Sequence, residues 1–133
     1  MGGELPQAGV VSVVDDDASV REAMGRLIKS SRFAVQLFAS GEEFLRFGSL
    51  QNTSCLVLDV HMPGMSGLQL QSHLVVAGYR IPIIFITADP DERTRARALK
   101  AGAVDFLLKP FGDDALPNGI RSALKHSDKG TQR

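Results

Sequence analysis

Apolar residues along this chain fall into short runs separated by longer stretches in which they recur every three or four positions. The runs VVSVV, CLVL and PIIFI are nearly continuous, as strands covered on both faces require. The stretches between them have the period of helices packed by one face. Strands are predicted over 10–14, 33–37, 55–58, 82–86 and 104–108, and helices over 19–30, 41–47, 67–77, 90–101 and 113–124. Strand and helix thus alternate five times, the signature of βαβ units and a parallel sheet.

Local punctuation agrees. Asp17 is placed to cap the first helix, Ser40 with Glu43 forms a capping box, and Asp89 before Pro90 reads as an N-cap with proline at the first helical position. Gly78 and Gly102 stand where helices should stop, whereas Pro117 and Gly119 weaken the last helix. The segments 1–9 and 126–133 lack periodicity and are expected to be a flexible leader and a flexible tail or start of a linker, leaving 10–125 as one domain. Five parallel strands most commonly take the flavodoxin-like α/β order 2-1-3-4-5, a doubly wound (βα)5 sheet.

That order gives the polar residues at the strand ends a meaning. Asp15 and Asp16 follow the first strand, Asp59 the third, Thr87 the fourth and Lys109 the fifth. The ligand crevice of an open α/β sheet lies outside the carboxyl ends of its strands, at the switch point, so all five are expected to meet there. Crowded carboxylates raise one another's pKa unless a cation neutralises them. Mg²⁺ suits them, since it takes one or two carboxylates and completes its shell with water and phosphate oxygen. Asp59 is the natural phosphoacceptor, already ionised and so in need of no general base. Lys109 supplies a point charge to the phosphoryl group, and Thr87 a hydroxyl.

Composition removes other classes. Fifteen basic residues balance fifteen acidic ones, so the chain lacks the electropositive field of a nucleic-acid binder. No apolar stretch approaches the roughly 20 residues of a membrane span, the first residues lack a secretion-signal pattern, and a reducing cytoplasm is the expected setting. Cys55, alone of its type, reads as a small core hydrophobe. His61, His73 and His126 have no metal-ligand spacing. Arg93, Arg95, Arg97 and Lys100 read equally as a solvated helix face or a partner contact.

Taken singly, a double Asp after a strand is more often a turn or cap than a metal site, Thr87 an ordinary strand-end hydroxyl and Lys109-Pro110 a surface turn. Together and in order, VVDDD, LDVHMPGMSGLQL, ITA and KAGAVDFLLKPF resemble the receiver domain of bacterial two-component response regulators over residues 10–125. The PGMSG loop and the AGAVDFLLKPF ending resemble receivers of the FixJ-like group, which carry LuxR-type helix-turn-helix outputs.

The resemblance implies that Asp59 is phosphorylated from a phosphohistidine on a sensor kinase or phosphotransfer protein. It implies that Asp16, Asp59 and the backbone carbonyl of His61 bind Mg²⁺, with Asp15 acting largely through water. Lys109, before a cis Pro110, contacts the phosphoryl group; Thr87 is the switch hydroxyl and Phe106 the switch aromatic. Ala88, His61, Asp89 and Pro110 lie near the phosphate, His61 to tune its hydrolysis and Asp89 to orient or repel water. The face of the fourth helix, fifth strand and fifth helix then controls dimerisation or an output domain, so the domain is a self-catalysed acceptor and not a turnover enzyme.

Three rivals are weighed against this. A haloacid-dehalogenase-type phosphatase needs a second Asp two residues after its nucleophile, where this chain has His61. A flavin or nucleotide carrier needs a Gly- or hydroxyl-rich loop after the first strand, and DDDAS would repel phosphate. A phosphorylation-independent pseudo-receiver is disfavoured because all five site residues are present.

Overall fold

The computed structural model describes the backbone of residues 9–131 and side chains as far as residue 125. Expectations for residues 1–8 and 132–133 lie outside the described residues. Strands β1 (Val10–Val14), β2 (Val35–Phe38), β3 (Thr53–Asp59), β4 (Ile83–Thr87) and β5 (Asp105–Leu108) form one parallel sheet in the order β2-β1-β3-β4-β5. Helices α1 (Ala18–Ser30), α2 (Gly41–Phe47), α3 (Gly67–Val76), α4 (Glu92–Lys100) and α5 (Ala115–Thr131) connect and cover them. The expected flavodoxin-like order is therefore the observed one.

Alternation along each strand sends neighbouring side chains to opposite faces. Val11, Val13, Cys55, Val57, Ile84 and Ile86 meet Met24 and Ile28 of α1 and Leu116 and Ile120 of α5. On the other face Val14, Leu56, Leu58 and Phe85 meet Phe44 of α2, Leu70 and Leu74 of α3 and Ala98 of α4. Cys55 is fully buried and burial pushes its thiol up to about 12, which fits the core role expected of it. A buried amide joins two helices on the second face, where Gln71 Nε2 of α3 donates to the Ala98 carbonyl of α4 at 3.1 Å.

Several element ends differ from expectation. The backbone of β2 begins at Val35 and not at residue 33, because Arg32 takes a left-handed φ of 73° and Phe33 N–H still donates back to Ile28 of α1. Strand β3 begins at Thr53, whose hydroxyl donates to the Ser49 carbonyl and meets the Ser12 hydroxyl at 3.0 Å. Asp91, not Asp89, caps α4 by accepting from Arg93 N–H; Asp89 N–H is engaged by Thr87 Oγ1 at 3.1 Å, so residues 88–91 turn above the sheet before the helix starts.

The last helix is unbroken and runs to Thr131, beyond residue 124 and through most of the segment expected as a tail. Pro117 sits in its first turn, where the missing N–H breaks no ladder. Gly119 lets α5 approach β4 closely, since a Cβ there would lie 3.3 Å from Ile84 Cδ1. Gly78 and Gly102 end α3 and α4 in the left-handed region, at φ 89° and 109°, as expected.

Candidate functional site

Register brings the five predicted residues together. Val14 lies beside Leu58 in the β1–β3 pairing, so the chain emerges from both strands with Asp15 next to Asp59. Asp59 in turn pairs with Ile86, one residue before Thr87, and Thr87 pairs with Leu108, one residue before Lys109. The Lys109 N–H donates to the Thr87 carbonyl at 2.8 Å, and the Lys109-Pro110 peptide is cis.

The three acids occupy different environments. Asp15 is fully buried; its Oδ1 accepts from Asp17 N–H at 2.9 Å and its Oδ2 from Lys109 Nζ at 3.2 Å. Asp59 is 5% exposed, with Lys109 Nζ at 3.9 Å. Asp16 is exposed. One oxygen from each acid lies within 4.8 Å of the other two. Lys109 therefore hydrogen-bonds Asp15 and pairs more distantly with Asp59, a division that strand-end position alone does not reveal.

Burial pushes the Asp59 carboxyl up to about 7, the Asp15 carboxylate adds to the rise, and Lys109 opposes it. The Lys109 ammonium thus only partly offsets the effect of burial and of the neighbouring acids. A carboxylate donor set of this kind fits a hard divalent cation.

Around this centre Thr87 is buried, and its oxygen accepts from Asp89 N–H. Phe106 is half-buried against Phe85, with ring centroids 6.2 Å apart. Ala88 and Pro110 are exposed at the rim. His61 and Asp89, both expected near the phosphate, come within 3.7 Å of each other, Nε2 to Oδ2.

Sequence reasoning missed three supports of the site. Gly67 begins α3 directly over the acceptor strand, where a Cβ would fall 2.3 Å from the Asp59 carbonyl oxygen. Ser66 and Gln69 form a reciprocal capping box at that same helix start, a signal present in the sequence as S-x-x-Q. Arg21 Nη1 donates to the Asp15 carbonyl at 2.7 Å; nothing in the sequence marks it among the other arginines.

Comparison with known proteins gives concordant results. The family profile described as the response regulator receiver domain matches residues 11–121. The response regulator protein TodT of Pseudomonas putida is 44% identical over 119 residues, covering 90% of this chain and 52% of its own length. The transcriptional regulatory protein FixJ of Azorhizobium caulinodans is 40% identical over 129 residues, covering 96% of this chain and 61% of its own. Among solved structures, that of the response regulator StyR superposes with a TM-score of 0.87 at 44% identity, over 95% of this chain and 64% of StyR. The chain spans about half the length of TodT and somewhat more of FixJ.

Proposed function

The chain belongs to the family of response regulator receiver domains, and from that membership we propose that it accepts a phosphoryl group on Asp59 from a phosphohistidine of a sensor kinase or phosphotransfer protein. The observation that carries this reading is the setting of Asp59: buried, beside two further acids and within 3.9 Å of the Lys109 ammonium.

In the transfer an Asp59 carboxylate oxygen forms a bond to phosphorus while the phosphorus–nitrogen bond of the donor breaks, and the imidazole leaves and regains a proton. Asp16, Asp59 and the His61 carbonyl would hold Mg²⁺, with Asp15 behind them. When bound, the cation supplies positive charge to the phosphoryl oxygens. Lys109 shifts from Asp15 toward the new dianion. Thr87, whose oxygen already accepts from Asp89 N–H, turns its own O–H toward a phosphoryl oxygen.

The movement of Thr87 leaves room beside Phe106, which shifts and repacks the face of α4, β5 and α5. That face regulates dimerisation or an output domain. The domain is in this reading a stoichiometric acceptor and not a turnover enzyme. It acts in the cytoplasm as a two-component signalling module that controls transcription, as the name of FixJ says of that relative. Among the described residues no helix is long and apolar enough to cross a membrane.

The test is intact-protein mass after incubation with acetyl phosphate, with and without Mg²⁺. A Mg²⁺-dependent gain of roughly 80 Da, one phosphoryl group, is expected in the natural chain and is expected to vanish in Asp59→Asn. Labelling that persists in the variant would move the acceptor elsewhere. No gain from acetyl phosphate or from phosphohistidine donors, in folded protein, would favour a phosphorylation-independent binding module.

A further inference from the structure

The exposed acid of the cluster poses a question of aim. Asp15 is held through both carboxylate oxygens, by Asp17 N–H and Lys109 Nζ. Asp59 is fixed on a buried strand beneath Gly67. The Asp16 carboxylate is exposed, and no hydrogen bond or ion pair ties it to a described residue. With no side-chain partner to hold it, the only fixed part of its placement is the Cα–Cβ direction that its backbone sets.

That backbone is clamped from one side chain. Arg21, half-buried one turn into α1, reaches back six residues and donates from Nη1 to the Asp15 carbonyl oxygen at 2.7 Å, a short charge-assisted bond. The oxygen it grips belongs to the peptide joining Asp15 to Asp16. A peptide unit is planar, so fixing its oxygen fixes the plane from which the Asp16 Cα and Cβ depart. The Arg21 N–H also donates to the Asp17 carbonyl at 2.9 Å, while Asp17 Oδ1 accepts from Ser19 and Val20 N–H. Residues 15–21 thus form a closed ring of hydrogen bonds, with Arg21 closing it.

We infer that Arg21 is a positioning residue for divalent-cation binding, acting through the Asp15–Asp16 peptide to aim the Asp16 carboxylate. This rests on the proposed reading of the site as a Mg²⁺-dependent acceptor. The sign of the effect separates aim from charge. A guanidinium beside a cation site repels the cation, so its removal should tighten Mg²⁺ binding if Coulomb repulsion were its whole contribution. Loss of aim should weaken binding instead.

The experiment is Mg²⁺ titration by calorimetry on the whole chain, with folding checked by circular dichroism, for the natural sequence, Arg21→Met, Arg21→Lys, Asp16→Asn and the double variant. Arg21→Met keeps the apolar stem and removes donor and charge; about tenfold weaker Mg²⁺ binding is expected, in the range seen for residues that orient metal ligands. Arg21→Lys, which retains a charged donor, should recover most of the loss. In the Asp16→Asn background Arg21→Met should add little further loss, because the two act in series.

Equal or tighter binding by Arg21→Met, or the same loss with and without Asp16, would overturn the inference. Should Arg21→Met fail to fold, Arg21→Ala, which likewise removes donor and charge, is read in the same cycle against the same criteria. If the natural chain itself binds no Mg²⁺, the reading of the site falls and this inference with it; if it binds and Arg21→Met is unaffected, only the inference falls.

Discussion

The two sides of the sheet's carboxyl edge are built to different standards. Four of the five residues of β1 and six of the seven of β3 are buried, and the loops leaving them are pinned by Asp17, Arg21 and Gly67. Strand β5 has no fully buried residue, and α4 buries only Ala98 of its nine. The side that holds mutually repelling carboxylates is densely packed, and the side proposed to respond is lightly packed. Low packing marks the segments of a protein that reorganise at small free-energy cost.

This contrast can be broken most directly with two leucines. Leu56→Ala on β3 removes a fully buried side chain and should destabilise the chain by about 3–4 kcal/mol, whereas Leu108→Ala on β5, which is 47% exposed, should cost below about 1 kcal/mol. Urea unfolding of both variants measures the difference. Equal losses would mean that the two sides are equally packed.

Two glycines sharpen it. Gly67→Ala forces a Cβ onto the Asp59 backbone, and a shift of closely packed main chain should cost about 2–3 kcal/mol and slow labelling by acetyl phosphate. Gly102→Ala meets no atom within 4 Å and pays only for its φ of 109°, about 1 kcal/mol.

A third prediction concerns pH. The folded chain holds the Asp59 carboxyl at about 7, above the ordinary value of 3.8. Between these values the folded state keeps a proton that the unfolded state has lost, so without metal the contribution of Asp59 to stability declines as pH rises from about 4 to about 7. Asp59→Asn should remove that decline and stabilise the metal-free chain at neutral pH by roughly 1–3 kcal/mol. Thermal unfolding across this pH range tests it; a variant less stable than the natural chain at pH 7 would refute it. The smallest effect is expected at the exposed Arg95–Glu92 pair of α4, where Arg95→Ala should change stability by less than about 0.5 kcal/mol.

Legibility in the sequence followed the same division. Asp15, Asp16, Asp59, Thr87 and Lys109 were all readable, because apolar runs define strands and strand ends define the crevice. Their supports were not, since the reach of Arg21 to a carbonyl and the closeness of Gly67 to Asp59 depend on three-dimensional approach. The start of α4 was misplaced because Asp89 and Asp91 are both good caps by residue type; the hydrogen bond from Asp89 N–H to Thr87 Oγ1 decides between them. Pro117 and Gly119 looked like weakness in α5, yet one lies where an N–H is dispensable and the other where α5 packs closely on Ile84 of β4. Lys109 was placed correctly, but its resting attachment to Asp15 depends on side-chain distances that no pattern of types encodes.

The buried sulfur on β3 has a practical corollary. Because Cys55 is enclosed and its thiol is held near 12, it presents almost no thiolate to an alkylating reagent at neutral pH. A cysteine substituted at an exposed position such as Arg97 of α4 would therefore take up a fluorophore or spin label alone, and the natural sequence already provides a silent background for watching that helix by spectroscopy.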